Sequence, residues 1–203
     1  MNKKILVVAA AFLSAPMMAG LAQADGGYLI GKAGVYIPND SQVDAGFNGE
    51  VGYGFDLLPG PGLLALEGTV GYFNAKQSNN YYVSAPSYRL TFDADVVPLA
   101  LSLKAGIESG PFTFYVGGGV DLLFVNMEAR YRSGYFGYSD SDNNTLFGGH
   151  VMAGATFDIN PHMFVGLEAK YLATESMDMW IYGYPLTGDL NGVTISGLFG
   201  FRF

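Results

Sequence analysis

Along residues 28–37 the chain reads YLIGKAGVYI, with Leu29, Ala33, Val35 and Ile37 on one parity and Lys32 on the other. A two-residue period of this kind marks a β-strand with one apolar face, because successive side chains point to opposite sides. The alternation recurs seven more times. FNGEVGYGFD (47–56) sets Phe47, Val51, Tyr53 and Phe55 against Glu50, and LLALEGTVGYF (63–73) sets Leu64, Leu66, Val70 and Tyr72 against Glu67 and Thr69. VPLALSLKAGIE (97–108) opposes Val97, Leu99, Leu101 and Leu103 to Ser102 and Lys104. FTFYVGGGVDLLF (112–124) opposes Phe114, Val116, Val120 and Leu122 to Thr113 and Asp121. In LFGGHVMAGATFD (146–158), Phe147, Val151, Ala153 and Phe157 face away from His150 and Thr156. MFVGLEAKYL (163–172) and GVTISGLFGFRF (192–203) complete the set, with Glu168, Lys170, Thr194, Ser196 and Arg202 on the polar parity.

The connections alternate in kind. LLPGPG, SGP and INP are short and rich in turn residues, whereas 74–95, 128–145 and 173–191 are long and polar. Short turns at one end and long loops at the other suit an up-and-down β-barrel that crosses a membrane, and an even strand count suits a bacterial one. The expectation is therefore an all-β fold, an eight-stranded antiparallel up-and-down transmembrane β-barrel. Pro98 interrupts the fourth segment, and Asp93 and Asp95 share the parity of Leu99. A β-bulge over 96–98 is expected to shift the phase and use the proline.

The ends and the composition agree with export to a membrane. Lys3 and Lys4 precede an apolar run over 5–21 and an Ala22-Gln23-Ala24 motif, the order of a secretory signal peptide. Cleavage is expected after Ala24, leaving 25–203 as a single barrel domain. No further domain is expected after it. Beyond that leader, the longest lipid-like run is 96–103, far short of the ~18 residues that a membrane helix needs. In a bilayer the remaining spanning solution is a closed barrel, in which every backbone polar group is paired. Without Lys3 and Lys4 the balance is eight basic residues against eighteen acidic, which disfavours nucleic acid as a partner. There is no cysteine, so neither a lipid anchor on one nor a disulfide is possible.

With an export signal, eight alternating segments and a terminal aromatic strand, the chain resembles the small outer-membrane β-barrel family of OmpA-type barrel domains, OmpX and, more distantly, OmpW. The resemblance spans the mature chain and is most specific at GLFGFRF (197–203). It implies that Phe199, Phe201 and Phe203 form the C-terminal signal read by the barrel-assembly machinery. On physical grounds alone these three rings share one strand face and can enter lipid and an aromatic girdle together. Both termini are expected on the periplasmic side of the outer membrane.

Candidate chemistry concentrates on the polar parity. Lys32, Lys104, Lys170 and Arg202 balance Glu50, Glu67, Asp121 and Glu168 inside the barrel. Strand order suggests the pairs Lys104 with Glu67 and Asp121, Lys32 with Glu50, and Arg202 with Glu168. An eight-stranded lumen is just wide enough for side chains to fill, which favours an ion-paired plug over a channel lining. His150 points inward by parity and has no serine near it in sequence, and His162 falls in a turn, so the reading is not an enzyme. A lipid-modifying activity is the least favoured alternative. No cofactor is implied. A metal site is not expected either, since SDSDNN (139–144) lacks the spacing and glycine of an EF-hand loop and the Gly-rich stretch 117–119 has no nucleotide-loop spacing. Arg89, Arg130 and Arg132 near the strand tops are candidates for lipopolysaccharide phosphates. The expected function is envelope integrity and surface contact by a monomeric barrel, with a narrow channel or transporter for small solutes as the alternative.

Overall fold

The computed structural model describes residues 26–40, 43–57, 62–81, 88–133, 136–181 and 184–203. The expected signal peptide lies outside them. Within them are ten strands and no helix: β1 (Gly27–Pro38), β2 (Gly46–Asp56), β3 (Gly62–Tyr81), β4 (Tyr88–Ser109), β5 (Phe112–Ser133), β6 (Phe136–Asn160), β7 (Met163–Thr174), β8 (Met177–Ile181), β9 (Tyr184–Gly188) and β10 (Gly192–Arg202). Eight of them close into a barrel in the order β1-β10-β7-β6-β5-β4-β3-β2, with every pair antiparallel. β8 and β9 pair with each other as a separate hairpin.

The alternation in the sequence becomes an inside and an outside. Around the whole circumference large apolar side chains point away from the axis, among them Val51, Leu101, Val116, Phe147, Leu167, Ile195 and Phe199. Phe147 is 67% exposed and Leu167 68%, a degree of apolar exposure that a water-soluble monomer does not carry in a continuous ring. On β4 these outer positions run from Val97 to Ile107. Ten steps of ~3.3 Å at a tilt of ~40° make a belt about 25 Å tall, the height of the apolar band of an outer-membrane barrel. The turn between β4 and β5 is tight because Gly110 takes a left-handed conformation at φ 60. A β-bulge between Asp158 and Asn160 tucks in the neighbouring turn before Met163.

Two expectations are corrected. The stretches 74–95 and 128–145 are mostly strand rather than loop. Pairing of β2 with β3 begins at Phe73 and that of β6 with β7 at Gly148, yet β3–β4 continues to Tyr81↔Tyr88 and β5–β6 to Ser133↔Phe136. The four strands β3 to β6 therefore project past the barrel rim as a sheet. In their outer portions the parity that faces lipid lower down turns polar, and the apolar residues of β4 and β5 (Leu90, Phe92 and Ala94; Met127, Ala129 and Tyr131) fall on the opposite parity, so the lipid-facing pattern does not extend into them.

There is also no bulge at 96–98. The β4–β5 ladder runs continuously through Pro98↔Leu123. On the other side, Val70↔Leu99 and Phe73↔Val96 lie in one register, so no residue is inserted; only the pairing of Gly71 and Tyr72 opposite Pro98 and Val97 is missing. Proline has no N–H to give, and Gly71 makes room for its ring: a Cβ there would stand 3.2 Å from Pro98 Cγ and 2.7 Å from Glu50 Cγ. Asp95 needs no phase shift, because it lies past the apolar belt, where Tyr72 Oη donates a hydrogen bond to its Oδ1 at 2.6 Å. Gly71→Ala is accordingly expected to destabilise the barrel by about 1–3 kcal/mol through overpacking, measured by urea unfolding in lipid vesicles. An unchanged midpoint would mean that Gly71 is not what accommodates Pro98.

Candidate functional site

The inner positions of β1, β3, β4 and β7 bring together four charges that form a closed ring. Lys32 Nζ lies 2.9 Å from Glu67 Oε1 and 2.7 Å from Glu168 Oε1. Lys104 Nζ lies 2.7 Å from Glu67 Oε2 and 3.3 Å from Glu168 Oε2. Each ammonium thus bridges two carboxylates and each carboxylate two ammoniums, and the ring is neutral. All four side chains are at most 3% exposed. Charges so far from water persist only when paired and hydrogen-bonded. Tyrosines supply the remaining bonds: Tyr28 Oη donates to Glu67 Oε2 at 3.0 Å and Tyr115 Oη to Glu168 Oε2 at 2.8 Å. Lys104 Nζ also stands 4.7 Å above the Tyr115 ring, a cation–π contact.

A second pair joins Lys170 on β7 to Glu50 on β2 across the lumen. Thr69 Oγ1 donates to Glu50 Oε2 at 3.2 Å, and Asn48 Nδ2 donates to Ser196 Oγ at 3.2 Å beside it.

Three of the expected pairings do not form. Lys32 stands directly opposite Glu50 in the ladder yet reaches Glu67 and Glu168 instead, since in so narrow a lumen the far wall is as near as the adjacent strand. Asp121 is opposite Ala100, four residues along β4 from Lys104, or about 13 Å. Arg202 is separated from Ser196, the residue opposite Glu168, by six positions on β10, about 20 Å. Arg202 pairs with Asp158 at 2.6 Å, at the half-exposed turn end of the barrel, and lies 4.6 Å above the Phe164 ring. Parity told which side chains point inward; it did not tell how high along the axis each one stands.

Asp121 instead binds His150, which binds Ser102. His150 Nδ1 is 2.6 Å from Asp121 Oδ2, and Nε2 is 2.9 Å from Ser102 Oγ. The carboxylate accepts from Nδ1–H, and the serine hydroxyl meets the other ring nitrogen. This is the nucleophile–base–orienter order of acyl-transfer enzymes. It lacks what such chemistry needs besides. The His150 side chain is 0% exposed and that of Asp121 1%, and the surrounding backbone N–H groups belong to strand ladders rather than to an oxyanion site. The glycines 117–119 have a packing reason, since a Cβ on Gly119 would meet Leu101 O and would lie 2.8 Å from His150 Cε1. Ser102, Asp121 and His150 lie on three consecutive strands, all on the polar parity, which was the one available signal; register, which parity cannot fix, brings them together.

The lumen is closed on the long-strand side of these charges. Toward the long-strand end, Tyr36, Phe73, Val96, Leu123, Leu146 and Leu172 pack into an apolar cluster. Leu190, from the segment between β9 and β10, completes it. Tyr36 Oη donates to Leu190 O at 2.8 Å, and Leu190 N donates to Thr174 Oγ1 at 3.0 Å, which fixes this stopper. At the turn end a cleft between Tyr28, Asp56, Thr113, Tyr115 and Arg202 reaches inward as far as Lys104, a member of the ring. Among the described residues no group of three His, Cys, Asp or Glu is placed to hold a metal ion.

Phe199, Phe201 and Phe203 all face outward, with Phe201 and Phe203 edge to face at 5.5 Å and His162 stacked on Phe201 at 6.1 Å. The chain end is tied down: Phe203 N donates to Gly27 O at 3.0 Å and Arg202 N to His162 O at 2.7 Å. The backbone of Arg89 lies opposite Arg132, and that of Arg130 opposite Thr91. The side chains of these three arginines lie outside the described residues, as do most of the aromatic ones beyond the rim.

The sequence matches the outer membrane protein β-barrel domain over residues 5–203. The chain belongs to this family of outer-membrane β-barrels. No curated protein sequence matches it. Among solved structures it is similar to a major outer membrane protein from Thermus thermophilus (13% identity, 89% of this chain and 100% of that one, TM-score 0.63). It is also similar to OprG from Pseudomonas aeruginosa (14%, 89% and 97%, TM-score 0.59) and to Neisserial surface protein A (16%, 89% and 99%, TM-score 0.50). At these identities the likeness is one of fold.

Packing around His150 is directly testable. Gly119→Ala is expected to lower stability by about 1–3 kcal/mol. Gly68→Ala, whose added methyl would meet nothing within 4 Å, is expected to stay within ~0.5 kcal/mol of the parent. Equal unfolding midpoints for the two variants would refute the fit described for the imidazole.

Proposed function

We propose that this protein is a closed outer-membrane barrel that acts as a structural element of the envelope and a contact surface, and does not conduct solute. The observation that carries this is the neutral ring of Lys32, Glu67, Lys104 and Glu168 beneath the apolar cluster sealed by Leu190. A water-filled path would have to break both. The projecting sheet of β3 to β6 supports the surface role, as it carries the chain well past the lipid belt.

In this reading the two chain ends and the short turns are periplasmic, and the projecting sheet is outside the cell. Phe199, Phe201 and Phe203 serve the assembly machinery during insertion. The lipid contacts are those of a monomer, and Arg89, Arg130 and Arg132 meet phosphates of lipopolysaccharide.

Conductance of the refolded protein in a planar bilayer tests the closed lumen. Silence is expected from the parent protein, with brief openings at most from Lys104→Met. Steady openings of the parent that scale with salt and change on Glu67→Gln would replace this reading with that of a narrow channel.

A further inference from the structure

All eight barrel strands contribute to the cleft at the turn end, which reaches inward to Lys104. That ammonium is already shared between Glu67 and Glu168, so the floor of the cleft carries no net charge. Nearer the mouth, Glu108, Thr113 and Thr156 stand directly opposite one another across β4, β5 and β6. Opposed side chains of this kind lie about 4.5–5.5 Å apart at Cβ, so a carboxylate and two hydroxyls line a single row of the wall. Thr113 is 4% exposed and Thr156 7%, and among the described residues neither hydroxyl has a hydrogen-bond partner. Buried hydroxyls are costly without a partner, and two side by side in one cleft mark a place for a ligand that bonds them.

Charge says which kind of ligand. The carboxylates of the cleft are Asp56 and Glu108, both exposed at its mouth, and among the described residues neither has a lysine or arginine within ion-pairing distance. Arg202, the cation at the mouth, is held by Asp158 at 2.6 Å. Two uncompensated negative charges therefore face the cleft. By register Asp56 lies in the row of Ala65 and Lys104, Leu63 in the next row toward the mouth, and Glu108 in the one after that. The four residues from Lys104 to Glu108 span about 13 Å, which suits two cationic groups on one chain rather than a single ion shared by both. Leu63 lies between the two carboxylates and offers methylenes an apolar track. The enclosed part of the cleft is about 50 Å³. Against the ~30 Å³ that a water molecule takes up, that admits an ammonium and its neighbouring carbon but not a ring or a sugar.

We infer that the turn-end cleft is a binding site for a linear aliphatic polyamine. One terminal ammonium bonds Glu108, Thr113 and Thr156, the chain passes over Leu63, and a second ammonium meets Asp56. An ammonium has three donors and no acceptor, which matches one carboxylate and two hydroxyls. The ion-paired ring beneath stops the ligand, so the cleft is a site and not an entrance. The assignment holds whichever side of the membrane the turn end faces.

Two dications of equal charge and different length test it: diaminoheptane and diaminopropane, each with its amines at the two chain ends. They are titrated by calorimetry into the refolded protein in nanodiscs of zwitterionic phospholipid, with calcium as a third probe. The longer diamine is expected to bind at least about tenfold more tightly than the shorter, since only it reaches both carboxylates. Glu108→Gln and Asp56→Asn are each expected to weaken it by about fivefold and to reduce the preference for length. Thr113→Val is expected to weaken it as well while leaving the urea midpoint no lower than the parent's, because the hydroxyl it removes has no partner in the protein. Equal affinities for the two diamines would overturn the site, as they would mean diffuse attraction to negative charge. Binding of the longer diamine that Glu108→Gln leaves unchanged would also overturn it. Calcium binding tighter than either diamine, and lost in the same variants, would replace the polyamine with a metal ion.

Discussion

Every backbone N–H and C=O inside a bilayer has to find a partner within the protein, and this one requirement organises the molecule. Strands satisfy it only by closing on themselves, so β1 pairs with β10 and the ladder has no edge within the belt. Closing eight strands leaves a lumen no wider than the side chains that line it. Whatever polar residues the inward parity carries must then neutralise one another there, without bulk water. The ring of Lys32, Glu67, Lys104 and Glu168 meets this demand with four residues from four strands, and Tyr28 and Tyr115 bond the carboxylate oxygens from the turn-end side. The same narrowness explains the glycines that face large inner groups, such as Gly119 beneath His150 and Gly71 beside Pro98.

Inward and outward positions were legible in the sequence because a strand repeats every two residues. Leu101 and Lys104 are told apart by parity alone, and the structure keeps them on opposite sides of the wall. Partners were not legible. Lys32 and Glu50 are ladder neighbours, yet the ammonium crosses to Glu67 and Glu168, because choosing among inner side chains depends on height and on the far wall. Strand ends were legible only where the apolar pattern stops at the membrane. Beyond Asp95 and Asn126 the outward parity turns polar while apolar residues such as Leu90, Phe92, Met127 and Tyr131 continue on the other parity, so the lipid-facing pattern stops and the projecting sheet reads as loop. Pro98 misled for a related reason: a missing donor can be tolerated by leaving two opposing residues unpaired, provided a glycine lies across from the ring.

Ser102, His150 and Asp121 separate geometry from chemistry. Their distances are those of an acyl-transfer relay, but the relay is enclosed between the apolar cluster and the charge ring. Function depends on access and on stabilisation of a developing charge as well as on the order of three side chains. Here the relay orients the imidazole and satisfies Asp121, the one lumenal carboxylate that no lysine reaches among the described pairs. Family membership fixes the fold and the membrane, and what the barrel does depends on the contents of its lumen and on its projecting sheet.

The central claim is that lumenal charges stabilise the barrel as a mutually neutralising set. A double-mutant cycle on Lys104→Met and Glu67→Gln, followed by urea unfolding in lipid vesicles, tests it most directly. Each single change strands a buried charge and is expected to be destabilising by roughly 3–5 kcal/mol. The double variant leaves Lys32 and Glu168, 2.7 Å apart, as a neutral pair, so it is expected to recover at least about 2 kcal/mol of the summed loss. Strictly additive losses would contradict the account, because they would mean that each charge is hydrated on its own and the lumen is open to water.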